Sequence, residues 1–337
     1  MAEEPRTVLV MGASGFLGSH VTRQLVRRGD RVRVLLRRTS STRPIDDLEV
    51  ERHYGDIFDL DAVRAAMAGC SAVFYCVVDT RAWLRDPAPL FRTNVEGLRG
   101  VLDVAADAGL DRFVFTSTIG AVAIGHDGRP ATEDDPFNWP GIGGPYIESR
   151  RQAEELVWRY ARDRGLPAVA MCVSNTYGPR DWQPTPHGSM IAAAALGRLP
   201  GYVRGVGSEV VGVEDAAQAL VLAADHGRIG ERYTVSERYL TQRELFTAAT
   251  EAVGAKPPRF GLPVPVLYAV AVAGGLLGRL LRRDSPITLT SARLMVTTSP
   301  LDHSKATREL GWQPEPATAA VARAARFFVD RYRKVPT

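Results

Sequence analysis

The residues with chemistry to offer fall in three places. Gly12, Gly15 and Gly18 follow the apolar run Val8-Leu9-Val10-Met11. They lead into a stretch with Leu17, Val21, Leu25 and Val26 on one helical side and Arg23, Arg27 and Arg28 on the other. That is the order strand, tight turn, helix. Gly12 permits the sharp turn, Gly15 lets a pyrophosphate approach the backbone, and Gly18 lets helix and strand pack closely. The helix start adds free N–H groups and a partial positive charge. Spaced glycines alone are commonplace; flanked in this way they predict a dinucleotide site. Ser117 and Thr118 close a second run, Val114-Phe115-Thr116-Ser117-Thr118, at what reads as a strand's carboxyl end. Tyr146 and Arg150 stand one turn apart at the start of a helical pattern and so share a face.

The choice between nicotinamide dinucleotides is read from the end of the second strand. Val34-Leu35-Leu36 passes into Arg37, Arg38, Thr39 and Ser40, and no carboxylate appears before Asp46. A carboxylate there would bond the adenine ribose 2′-hydroxyl and repel a 2′-phosphate, whereas arginines offer phosphate charge-assisted bonds. Arg37 and Arg38 therefore predict NADP, with NAD as the second choice.

These groups need a scaffold, and the first half of the chain describes one. Runs at 7–11, 31–36, 72–76, 112–117 and 168–173 are short and rich in Val, Leu or Phe, and helical patterns lie between them at 16–28, 59–68, 88–108 and 147–164. The alternation predicts a Rossmann-type, doubly wound α/β fold with a parallel sheet covered on both faces and a smaller, mixed C-terminal lobe. The dinucleotide domain is expected over 1–180, with 208–230 returning to it. The substrate lobe is expected over 181–207 and 231–337. Pro184 and Pro186 suit a folded-over lid at 181–188 better than a helix. A helix is expected over 213–225, and Thr241 with Glu244 three residues on has the pattern of a capping box opening another. The acidic, Pro- and Gly-rich loop 125–144 is long enough to suggest a functional role.

Composition excludes several classes. Of 337 residues 45% are hydrophobic and 24% charged, and the net charge of +4 is not gathered into a long basic run, so nucleic acid is not expected as a partner. Cys70, Cys76 and Cys172 sit in apolar stretches and read as buried free thiols. His126, His187, His226 and His303 lack a second ligand at a useful spacing, so no metal is expected. Met1-Ala2-Glu3-Glu4-Pro5 runs straight toward the first strand, giving the expectation of a cytoplasmic protein without a signal peptide. The apolar stretch 264–281 approaches spanning length but is interrupted by Pro265, Gly274, Gly275 and Gly278 and ends at Arg282-Arg283. It predicts a buried or membrane-facing helix, with peripheral attachment through the arginines as a secondary expectation.

Taken together, these motifs strongly resemble the extended short-chain dehydrogenase/reductase family, the epimerase/dehydratase-like group. The resemblance runs over nearly the whole chain: the glycine motif, Gly55-Asp56 after the third strand, Asn94, the Thr116-Ser117-Thr118 segment, the Tyr146 helix, Asn175-Thr176-Tyr177-Gly178-Pro179, Val213-Glu214-Asp215 and Leu310-Gly311-Trp312-Gln313-Pro314. The nearest branches are the dihydroflavonol reductases and 3β-hydroxysteroid dehydrogenases. It implies that Tyr146 exchanges a proton with a carbonyl or alcohol oxygen, that Thr118 bonds that oxygen, and that a cation beside the tyrosine favours its phenolate. It also implies that Gly12, Gly15, Phe16, Leu17 and Gly18 wrap the pyrophosphate and that Asp56 and Ile57 meet the adenine. Val77, Asn94, Val173 and Asn175 would line the rest of the cofactor's bed.

Three departures from the family pattern bear on function. Arg150 stands where the family has lysine; it keeps a positive charge but cannot release a proton. Cys172-Val173 replaces the usual Arg-Pro, and Val77-Val78 the usual Ala-Ala, on the nicotinamide wall. The first reading is a dehydrogenase or reductase interconverting a ketone and a secondary alcohol on a moderately large apolar substrate. The apolar 264–281 stretch and Trp139, Tyr177 and Trp182 speak for it. A nucleotide-sugar epimerase or dehydratase, using Arg180, Arg198 and Arg204 for a diphosphate, and a non-catalytic NADP-binding redox sensor remain alternatives. His187, Asp79 and Arg81 are further candidates for substrate contact, and a homodimer through 88–108 and 147–164 is expected from relatives.

Overall fold

The computed structural model of the chain describes residues 5–125, 128–139, 141–281, 284–285 and 288–333; His126 and the Arg282-Arg283 pair lie outside them. The strands are β1 (Thr7–Met11), β2 (Arg31–Leu36), β3 (Glu51–Tyr54), β4 (Ala72–Tyr75), β5 (Arg112–Thr118), β6 (Ala168–Val173), β7 (Asn175–Tyr177), β8 (Gly201–Val203), β9 (Gly207–Gly212), β10 (Arg232–Val235), β11 (Arg238–Thr241) and β12 (Phe260–Leu262). The helices are α1 (Phe16–Arg28), α2 (Leu60–Met67), α3 (Ala88–Phe91), α4 (Leu98–Ala106), α5 (Gly144–Arg164), α6 (Pro186–Ala195), α7 (Val213–His226), α8 (Gln242–Glu251), α9 (Val264–Leu280), α10 (Leu289–Val296), α11 (Ser304–Leu310) and α12 (Ala317–Arg333).

A seven-stranded sheet in the order β10-β6-β5-β4-β1-β2-β3 forms the large domain, and its neighbours all pair in parallel. Strand residues alternate between two cores, as the pleat requires. Val8, Val10, Val34 and Val114 pack with Val21 and Leu25 of α1 and Leu220 of α7. Leu9, Met11, Tyr75, Phe113 and Phe115 pack with Val101 of α4 and Leu156 and Val157 of α5. Each such fully buried Leu or Val side chain stabilises the fold by about 1.5–3 kcal/mol. The order reverses between β1 and β4, which is where an open α/β sheet leaves a crevice at its carboxyl edge.

The smaller lobe is mixed. β11 pairs antiparallel and β7 parallel with β9, while β12 pairs parallel with β8. Ile191 of α6, Leu245 and Phe246 of α8, and Val321 and Phe328 of α12 form a third core. The sheet draws in Arg232–Val235, just beyond the expected return at 208–230, because a turn at Gly230 (φ 85) sends the chain back beside β6. The 181–188 segment differs from the expected lid. Pro186 opens α6, whose N-cap Thr185 accepts from the Gly188 amide at 3.0 Å, and a first-turn proline forfeits only an amide that would be unpaired anyway. The Thr241–Glu244 capping box is present. Among the described residues no helix is long and apolar enough to cross a membrane.

Candidate active site

The carboxyl edge of the large sheet gathers the sequence-flagged residues onto one strip. Gly12 leaves β1 with φ 88, a conformation open to glycine, and a Cβ there would lie 2.7 Å from the Cys76 carbonyl oxygen. At Gly18 the approach is tighter still: a Cβ would come within 2.2 Å of the Gly12 oxygen. The start of α1 has no side-chain cap and no acidic residue in its first turn, so its leading amides and dipole are open to an anion. Gly15 is exposed, and Phe16 and Leu17 are half-buried behind it. Phe16 stands edge-on to His20, whose pKa burial pushes down to about 4 and whose Nε2 meets the Pro179 carbonyl at 3.1 Å.

The end expected to take the adenine lies at the tips of β2 and β3. Arg37 and Arg38 are exposed just past β2, with Arg38 over the Tyr54 ring at 5.4 Å. Asp56 lines an open cleft with Phe58, Pro89, Arg92 and Thr93, and Ile57 is buried behind it. The loop carrying the arginines is tied down further on. Asp47 accepts from Arg23 at 2.7 Å and from Arg180 at 3.2 Å, which holds its carboxyl down to about 2, and Arg43 lies 3.8 Å over the Trp182 ring.

The end expected to take the nicotinamide is built by β4, β5, β6 and α5. Thr118 and Val173 are register partners at the tips of β5 and β6. Val77 follows β4, and Asn175 opens β7. Asn94 is buried in a wide helical turn at Arg92–Gly97, between α3 and α4. Its amide accepts from the Asp79 N–H (2.8 Å) and donates to the Asp79 carbonyl (3.0 Å) and to Ser149 Oγ (3.0 Å). It fastens the loop after β4 to α5, so its polar atoms position the bed instead of reaching across it. Asp79 is bound by Arg81 through two bonds; burial opposes its ionisation, yet these bonds hold its carboxyl below the ordinary value.

Tyr146 and Arg150 lie one turn apart on α5. Gly120, two residues past Thr118, lies so near Ile147 that a Cβ there would be 2.3 Å from its Cδ1, which lets the tip of β5 close on the tyrosine's turn. Tyr146 is half-buried, and among the described residues no hydrogen bond engages its hydroxyl. Arg150 is 1% exposed: Nη2 donates to the Thr116 carbonyl at 2.5 Å, and Cζ lies 5.2 Å from the Phe115 ring centroid. Its Nε and Nη1 are buried without a hydrogen-bond partner among the described residues. One turn further, Glu154 is engaged by Ser117 Oγ, by Arg232 at 3.2 Å and by Trp158, and so is not the counter-ion of Arg150. Sequence reading passed over Glu154; its signal was an acid on the buried side of a helix, two turns past Tyr146.

The other candidates are used structurally. Trp139 is buried and donates to the Val122 carbonyl at 2.8 Å, Tyr177 is buried beside His187, and Trp182 packs on Phe327. Cys70 and Cys172 are buried, Cys76 is half-buried, and none is in a disulfide. Burial and Glu154 push the Cys172 thiol well above its ordinary range, which makes it a poor nucleophile. Among the described residues no cluster of His, Cys, Asp and Glu could hold a metal ion.

This geometry fits a dinucleotide: a glycine cradle, an uncapped helix start for the pyrophosphate, and a buried cation with unused donors beside the nicotinamide end. Comparison with known proteins agrees. The profile described as "NAD dependent epimerase/dehydratase family" matches residues 8–236. The chain belongs to that family. Among its members, sterol demethylase protein B of Methylococcus capsulatus is 32% identical over 96% of this chain and 99% of its own length. A putative dihydroflavonol 4-reductase of Synechocystis sp. is 28% identical over 95% and 93% respectively. The crystal structure of gox2253 superposes with a TM-score of 0.85 at 35% identity, covering 97% of this chain and 99% of that one. The family is one of nicotinamide-dependent enzymes, in which the extended reductases and dehydrogenases stand beside the epimerases, and the fold expected from sequence is the fold found.

Proposed function

We propose that the protein is an NADP-preferring reductase or dehydrogenase acting on a ketone or secondary alcohol of an apolar, moderately large substrate. The observation that carries this reading is the pairing on α5 of a tyrosine and a buried arginine which, among the described residues, leave the tyrosine hydroxyl unengaged and the arginine Nε and Nη1 without a partner. The two relatives named for a sterol pathway step and a flavonoid ketone both point to flat, apolar substrates. A bound reduced nicotinamide would supply the hydride for the carbonyl carbon. Tyr146 gives its phenolic proton to the carbonyl oxygen, so the ketone becomes an alcohol and the tyrosine is reprotonated from solvent. Thr118 donates a hydrogen bond to the same oxygen. Arg150 stabilises the transient phenolate as a fixed charge and takes no part in proton relay. Its Nε and Nη1, without a partner among the described residues, would serve the ribose hydroxyls of a bound cofactor.

Arg37 and Arg38 select NADP through the 2′-phosphate. Gly12, Gly15, Phe16, Leu17 and Gly18 hold the pyrophosphate, Asp56 and Ile57 the adenine, and Val77, Val173 and Asn175 the nicotinamide. Segments 181–207 and 231–337, apart from β10 and α11, which pack on the large domain, form the substrate lobe. Two copies pair through α4 and α5, where Tyr160 with Asp103 and Arg164 with Asp107 satisfy the charges within each chain. The free thiols suit a reducing cytoplasm. The test is NADPH oxidation with steroid, flavonoid and aryl ketones against nucleotide sugars. Tyr146→Phe should remove turnover while leaving NADPH affinity within about twofold, since one hydroxyl contact is all that changes. Turnover of nucleotide sugars alone would move the protein to the epimerase reading. Wild type as inert as Tyr146→Phe, with NADPH still bound, would make it a sensor.

A further inference from the structure

The face of α9 turned away from the lobe is apolar from end to end. Val266, Val270, Leu276, Leu277 and Leu280 recur at helical spacing, and their exposures run from 40% to 80%. Phe260, 67% exposed at the edge of β12, extends the same surface. A folded protein rarely leaves so continuous an apolar stripe in water unless something covers it.

The charges around the stripe say what. Between Glu251 and Asp284 the sequence has no acidic residue, whereas Lys256 and Arg259 precede the helix and Arg279, Arg282 and Arg283 close it. Lys256 and Arg259 are exposed, and among the described residues neither is in an ion pair. Asp284, where the basic stretch stops, accepts from the Arg85 amide. An apolar stripe led by exposed cations, in a segment without acids, matches a helix lying in the plane of a lipid surface, with its side chains in the acyl boundary and cations among anionic head groups. A second copy fits poorly. Segment 252–283 is net basic in sequence, so pairing it with its own copy sets like charges together.

We propose that α9 and the edge of β12 dock the protein on an anionic bilayer surface, without crossing it. The docking helix is linked to the candidate active site through α10. α10 packs along α9 and carries Thr290, whose methyl would lie 2.9 Å from a Cβ at Gly144, at the start of the helix that bears Tyr146.

The experiment is co-sedimentation of the full chain with phosphatidylcholine vesicles, with and without phosphatidylglycerol, at low and high salt, alongside gel filtration. Wild type should pellet with the mixed vesicles, stay in solution with phosphatidylcholine alone, and be released by salt. The double variant Leu276→Glu/Leu277→Glu changes exposed side chains and should elute like wild type while its bound fraction falls at least about tenfold. Lys256→Glu/Arg259→Glu should weaken binding several-fold and flatten the salt dependence. Failure of wild type to pellet overturns the proposal, as does equal pelleting with neutral vesicles or by the leucine variant. A wild type that elutes larger than the leucine variant and pellets with neither vesicle would make the face an interface between copies. None of these readouts depends on turnover, so they stand or fall apart from the reductase reading.

Discussion

Replacing Arg150 by methionine should move stability and function in opposite directions. Arg150 is 1% exposed, and among the described residues its guanidinium has one hydrogen bond, to Thr116, and one ring contact, over Phe115. A charge-assisted bond of that kind contributes about 1.5–3 kcal/mol, and a buried cation over an aromatic ring contributes about 1–2 kcal/mol. Against these stands the penalty of holding a charge out of water with two donors unused, which is several kcal/mol even after relaxation. The terms nearly cancel, so Arg150→Met should leave the cofactor-free protein unchanged or more stable by up to about 2 kcal/mol, a rise of a few degrees in Tm. Cofactor binding should suffer instead, because the donors that would bond the ribose in the proposed site are lost. A loss of about 1.5–3 kcal/mol weakens NADPH about ten- to a hundred-fold, and the Tm rise produced by a fixed NADPH concentration should shrink accordingly. Arg150→Lys keeps the charge and should retain most of that rise and of the turnover. The assay is thermal denaturation of the three proteins with and without NADPH, joined to titration calorimetry. If Arg150→Met lowers the cofactor-free Tm by many degrees while NADPH affinity stays put, the arginine is a strut of the fold and the argument fails.

Gly18→Ala puts a methyl 2.2 Å from the Gly12 carbonyl oxygen, a backbone atom with nowhere to go; α1 must lift from β1, and denaturant titration should show a loss of about 1–3 kcal/mol together with weaker dinucleotide binding. Arg37→Ala should cost NADPH about one to two decades of affinity and leave NADH nearly untouched, read by calorimetry; an unchanged ratio removes the NADP assignment. His20, held down to about 4 by burial, stays neutral in the folded chain while the unfolded chain takes up a proton near 6.5. Stability should therefore be full above about pH 7 and fall by about 3 kcal/mol as the pH drops toward 4, with His187 acting in the same direction. His20→Gln should flatten that slope in Tm measured against pH, and a slope identical to wild type would count against it.

The large domain was legible because its signals are local and repeated. The parallel strands buried on both faces read as short apolar runs, and the turn at Gly12 announces itself by spacing. β3 shows the limit: Glu51-Arg52-His53-Tyr54 sits at the edge of the sheet and carries little apolar pattern, so only the Gly55-Asp56 that follows hinted at it. The small sheets escaped for a related reason. β7, β8 and β12 have three residues each, too few for any period to show, and their partners are far along the chain. The prolines near α6 misled because a proline that ends one element can also begin the next.

At the site, sequence could name residues but not say which atoms they spend. Asn94 and Arg150 were both flagged by position, yet their side chains are in opposite states. Asn94 has its amide committed to Asp79 and Ser149, whereas Arg150 has two donors buried and idle. Hydrogen-bond saturation is a property of packing, and no spacing rule carries it. That difference bears on function: a group whose bonds are complete in the empty protein holds the scaffold, and one left incomplete at a buried position costs stability until something answers it. Arg150 is the incomplete one, and it sits on the helix face that also bears the unengaged Tyr146. The proposed working site rests on that pairing of a buried charge lacking a full set of partners with a tyrosine one turn away on the same helix.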